Sequence, residues 1–79
     1  MDEKFNSILS IVLIPQIIDL IVKYEKLNDI EALNEFYNSK TYEVLAKEET
    51  KVWHYSSLTI YMMWKQEMET GEIIYPEEQ

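Results

Sequence analysis

The run from Ile8 to Val22, ILSIVLIPQIIDLIV, is the most apolar stretch of a chain whose formal net charge is −8. Wound as a helix it is apolar on nearly every side, and a chain of 79 residues has too little mass to wrap such an element completely. Part of it is therefore expected to face a second copy, another protein or lipid. Lipid is the weakest of the three. The run is about 15 residues long where roughly 20 are needed to span a bilayer, it contains Pro15, Gln16 and Asp19, and it follows the acidic pair Asp2 and Glu3 where a signal peptide carries positive charge. The expectation is a cytoplasmic protein with no membrane segment.

A single domain of this size buries only about 60–65% of the surface its unfolded chain exposes, and its core is correspondingly small. The chain has no cysteine and one histidine, so neither disulfides nor a thiolate or imidazole metal site supplement that core. No cofactor is expected. Self-association is the remaining way to gain buried surface, and a homodimer is expected through Ile8, Ile11, Val12, Ile14, Ile17, Ile18 and Ile21. Fifteen acidic residues face seven lysines and no arginine, which disfavours nucleic acid as a partner. From Glu67 onward there are five carboxylates and no basic residue, a solvated tail over 72–79 or a strip for a basic protein partner.

The periodicity predicts a mainly α fold, a bundle of four to five helices in one domain over 1–79. The first helix begins near Glu3 with Phe5, Ile8, Leu9, Val12 and Leu13 inward, and Pro15 is expected to kink or break it. A second segment reaches about Leu27 with Gln16, Asp19, Lys23 and Lys26 as its polar stripe. Asn28 and Glu31 have the spacing of a capping box, and Ile30, Leu33, Phe36 and Tyr37 form the apolar face of the helix that follows. Ser39 is placed to cap a short helix through Leu45. Ser56 or Ser57 caps the last helix, with Tyr61, Trp64 and Met68 inward, and Gly71 ends it in a left-handed conformation. The β-favouring stretch 52–55 is expected to pair with 73–75 as a two-stranded ribbon.

Chemistry-bearing motifs are sparse: there is no phosphate loop, no metal-ligating His pair and no nucleophile–base constellation. Glu48, Glu49, Glu67, Glu69 and Glu72 are read as exposed carboxylates, whereas catalytic carboxylates need fixed, unlike environments. The protein is read as a non-enzyme. Trp53, His54, Tyr61 and Trp64 form a candidate aromatic cluster for a small-molecule sensor, although clustered aromatics in a small protein are first of all core. The two helical patterns over Tyr24 to Leu45 also allow a helix-turn-helix regulator using Lys40 and Lys47, but Lys40 is soon followed by Glu43 where phosphate contacts are needed.

The stretch from Ala32 to Leu45, with its Ser39-Lys40-Thr41-Tyr42 turn, the Thr50–Trp53 pair and the closing Glu69-Thr70-Gly71, resembles a family of small bacterial proteins of unknown function. The resemblance covers roughly the last two thirds of the chain and implies a bacterial, helical, soluble protein with no assigned site. Locally, Ser39 and Thr41 are placed to satisfy backbone amides at the turn, and Thr50 to fix a bend that sends Trp53 inward. The leading functional reading is a protein-interaction or regulatory module, antitoxin-like, in which a negative surface and an apolar helix neutralise a basic partner.

Overall fold

The computed structural model describes residues 3–75, and they form a mainly α bundle. Helix α1 (Glu3–Glu25) is one continuous rod. It is followed by α2 (Asp29–Tyr37), α3 (Lys40–Leu45), two 3-10 turns (Glu48–Thr50 and Val52–His54) and α4 (Ser57–Thr70). The second half of α1 packs against α2 and α4, and α3 bridges α2 to α4. One core fills the space between them, with Ile17, Ile21, Ala32, Phe36, Leu45 and Ile60 wholly shielded from solvent.

Pro15 neither breaks nor ends α1. The six residues before Ile14, Ile8–Leu13, are wound as a π-helix, and the amide of Ile14 donates to the carbonyl of Leu9 five residues back. Wider turns move the carbonyl of Ile11 away from the proline ring, and the missing amide of Pro15 falls in the first turn of the α-helical segment that follows. The wide turns also explain which side chains face inward. Phe5, Leu9, Leu13, Ile17 and Ile21 are buried at intervals of four residues, a period that a 3.6-residue helix cannot hold on one side without drifting. A π-helical segment holds more residues per turn and cancels part of that drift. Its consequence is that Val12, expected inward, is exposed, and Ile8 is half-buried.

The helix termini follow the local chemistry of the sequence. The Glu31 amide donates to Asn28 Oδ1 at 2.8 Å and the Asn28 amide to Glu31 Oε1 at 3.1 Å, a reciprocal capping box that starts α2. Ser39 Oγ accepts from the Tyr42 amide at 3.0 Å and starts α3. Ser56 Oγ accepts from the Thr59 amide at 3.2 Å, and Gly71, at φ +82°, ends α4. The buried face of α2 is Ala32 and Phe36 with Leu33 half-buried; Ile30 and Tyr37, expected inward, are exposed. On α4, Ile60, Tyr61, Met63, Trp64 and Glu67 are buried, and Met68 is exposed.

The expected ribbon of 52–55 with 73–75 does not form, and no strand occurs among the described residues. Residues Val52–His54 wind into a 3-10 turn instead, with the amides of His54 and Tyr55 bonded to the carbonyls of Lys51 and Val52. Thr50 Oγ1 shares its proton between the carbonyls of Val44 and Lys47 and accepts from the Val52 amide. These backbone groups are satisfied locally and need no strand partner. Glu72 to Tyr75 trail from Gly71 without regular structure, and the rest of the expected acidic tail, Pro76 to Gln79, lies outside the described residues, as do Met1 and Asp2.

Candidate interaction surfaces

The seven residues expected to form an interface divide into two groups. Ile14, Ile17, Ile18 and Ile21 are consumed by the protein's own core, because α2 and α4 cover that side of α1; they are not available to a second copy. Ile11 and Val12 remain, 72% and 45% exposed, with Ile8 at the margin. Their neighbours on the open side are Ser7, Ser10, Pro15 and Gln16, all exposed and all uncharged. Between Lys4 and Asp19 no residue carries charge. The open face of α1 is thus a neutral strip on a molecule of net charge −8. Since α1 is unbroken at Pro15, its 23 residues are long and apolar enough to cross a membrane by length and composition; in the folded domain its most apolar side is the core.

The four aromatic residues expected to cluster form two separate pairs. Trp53 stacks on His54 with ring centroids 4.0 Å apart and meets Phe5 edge-on at 5.5 Å, while its Nε1 donates to the Glu48 carbonyl at 3.0 Å. Tyr61 lies 6.1 Å from Trp64 on α4 and 5.7 Å from Tyr24 on α1. No ring contact joins the two pairs among the described residues, and both Tyr61 and Trp64 are buried. The indole Nε1 of Trp64 meets no hydrogen-bond acceptor. His54 is exposed and lines a broad, open hollow with Glu49, Thr50, Lys51 and Tyr55. Among the described residues no group of carboxylate and imidazole side chains is arranged to hold a metal ion.

Two polar assemblies tie the bundle together. At the end of α1, Glu25 accepts from Tyr61 Oη at 2.6 Å and from Lys65 Nζ at 2.7 Å. The Lys65 hydrogen bond, with that from Tyr61, holds the Glu25 carboxyl below the usual carboxylate range, and Lys65 is raised in return. Burial, reinforced by Glu25, pushes the Tyr61 phenol up to about 12.

The second assembly is centred on Glu67, expected among the exposed carboxylates. It is 7% exposed. Its carboxylate accepts from the amides of Lys40 and Thr41 at 2.9 and 2.8 Å and from Thr41 Oγ1 at 2.8 Å. A carboxylate from α4 therefore caps the N-terminus of α3, where unpaired amides and the helix dipole favour negative charge. Lys40 Nζ reaches the opposite way, to the Gly71 carbonyl that ends α4, at 3.0 Å. In a helix-turn-helix reading, α3 would offer those amides to a phosphate; here they are already donated to Glu67. The signal was present in the sequence, since Ile60, Trp64 and Glu67 share one α-helical stripe and a carboxylate on a buried stripe requires donors.

A third feature is a groove on the outer side of α4, where Met62, Met63, Thr59 and Gln66 face Ile74 and Tyr75 of the trailing segment across a volume of about 300 Å³. Met63 is its buried floor, and Met62, Ile74 and Tyr75 are about half exposed.

No family model matches the chain, and neither a curated protein nor a solved structure shows significant similarity to it.

Proposed function

We propose that this protein is a non-catalytic protein-interaction module that acts as a homodimer through the open face of α1. One observation carries the reading: the exposed apolar pair Ile11 and Val12 lies on the uncharged strip of a molecule of net charge −8. On the neutral strip two copies meet without like-charge repulsion and gain apolar burial. An isologous contact of two such strips joins the helices about a two-fold axis, with Ile11 of each copy near its counterpart.

The excess of acidic residues supports a role in holding or neutralising a basic protein rather than in turnover. Glu67, the buried carboxylate, is saturated by the donors of α3, and His54 is stacked on Trp53 at the surface. The Glu67 carboxylate is thus committed to holding α3 in place. The cysteine-free sequence makes the dimer easy to test. Ile11→Cys under mild oxidation is expected to give a disulfide-linked dimer, while Glu35→Cys, on the exposed side of α2, stays monomeric on a denaturing gel. Equal cross-linking at both positions, or none at Ile11→Cys and Val12→Cys alike, contradicts the proposal.

A further inference from the structure

We infer that the two copies pack with their α1 helices antiparallel, about a two-fold axis that crosses the helices between Ile11 and Val12, so that Lys4 of each copy stands level with Asp19 of the other. The orientation rests on the homodimer reading and fixes what that reading leaves open, since a two-fold axis allows parallel and antiparallel helices alike. The charges that bound the neutral strip carry it. Lys4 stands seven residues before Ile11 and Asp19 seven residues after Val12, so the exposed apolar pair lies at the midpoint between one cation and one anion. Both charged residues are exposed and adjoin the open face: Lys4 lies one turn before Ser7 and Ile8, Asp19 one turn after Pro15 and Gln16.

In a parallel pair every residue of α1 stands level with its own copy, so lysine meets lysine at Lys4 and carboxylate meets carboxylate at Glu3 and Asp19. Antiparallel pairing about the midpoint sets Asp19 against Lys4, and Glu3 against the uncharged Leu20. The placement of α2 favours the same orientation. This helix carries Asp29, Glu31 and Glu35 and no lysine, and it packs against the second half of α1. Parallel copies hold their two α2 helices at one level. Antiparallel copies hold them at opposite ends, on the order of 20 Å further apart along the axis and well beyond the ~8 Å Debye length at physiological ionic strength.

The test places a spin label at Lys23→Cys, an exposed position in the second half of α1 of this cysteine-free chain, and reads the label-to-label distance in the full-length protein. Antiparallel helices set the two labels about 35 Å apart along the axis, whereas parallel helices set them at one level, separated by little more than the ~10 Å between helix axes. The longer distance is expected. Lys4→Asp is expected to weaken the dimer about tenfold, more than Lys47→Asp, which makes the same change of net charge outside α1; adding Asp19→Lys to Lys4→Asp restores it. The short distance overturns the orientation while leaving a dimer. So does a double variant no tighter than Lys4→Asp alone, the result if Lys4 serves only Glu48, with which it lines a hollow beside Trp53. A monomeric scattering mass without dipolar coupling removes the dimer itself, so the two failures are distinguishable.

Discussion

Glu67 shows how much one side chain can decide in a chain this small. Its three accepted hydrogen bonds join α4 to a six-residue helix that has little cooperativity of its own. Removing a charged acceptor leaves two backbone donors and a buried hydroxyl without a partner. Glu67→Ala is expected to cost about 2–3 kcal/mol, a fall in melting temperature on the order of 10 °C for a domain of this size; a thermal melt superimposable on wild type would contradict the capping role. Tyr61 and Glu25 predict the pH limits of stability. The Tyr61 phenol is raised to about 12 in the fold against an ordinary value of 10.0, so its contribution is intact below pH 10 and is lost as pH rises toward 12. Glu25 is lowered, so its contribution is present above the ordinary carboxylate range and is lost as pH falls through its folded value. Tyr61→Phe should therefore flatten the alkaline limb of a stability–pH profile from chemical denaturation, and an unchanged limb would count against the Tyr61–Glu25 contact as its source. The caps Asn28, Ser39, Ser56 and Gly71 were legible because each acts within four residues of itself. Glu67 was not, because its partners lie 26 and 27 residues away and only its position on the buried stripe marked it.

At the level of elements, α1 is where regular periodicity and the protein part company. A 3.6-residue reading places both Leu9 and Val12 inward; the π-helical turns over Ile8–Leu13 bury Leu9 at 7% exposure and turn Val12 out. Leu9→Ala is thus expected to cost about 2–4 kcal/mol and Val12→Ala less than about 0.5 kcal/mol. Equal losses in denaturant unfolding would indicate an ordinary α-helix there. In a stretch apolar on nearly every side, the four-residue spacing of Phe5, Leu9, Leu13, Ile17 and Ile21 does not stand out, and Pro15 there predicts a kink or break, not a widened turn. The missing ribbon has a different origin. The β preference of Val52, Trp53 and Tyr55 reflects packing against neighbouring strands, and the Thr50 hydroxyl together with the left-handed Lys51 winds the segment before any strand is met.

For the whole molecule, the distribution of charge carries the functional account. The mainly α bundle followed from the apolar periods and the capping residues, but which apolar side chains would remain outside depended on how the helices pack, and no local pattern reports that. Four of the seven isoleucine and valine positions once expected at an interface became core, and Ile11 and Val12 with their uncharged neighbours became the open face. The most direct test is absolute mass by light scattering after size exclusion, for wild type and Ile11→Asp, at two concentrations and two ionic strengths. The account predicts a wild-type dimer whose mass holds or rises with salt, as repulsion between acidic surfaces is screened, and a folded Ile11→Asp monomer; a wild-type monomer under all four conditions, or a dimer indifferent to Ile11→Asp, would contradict it.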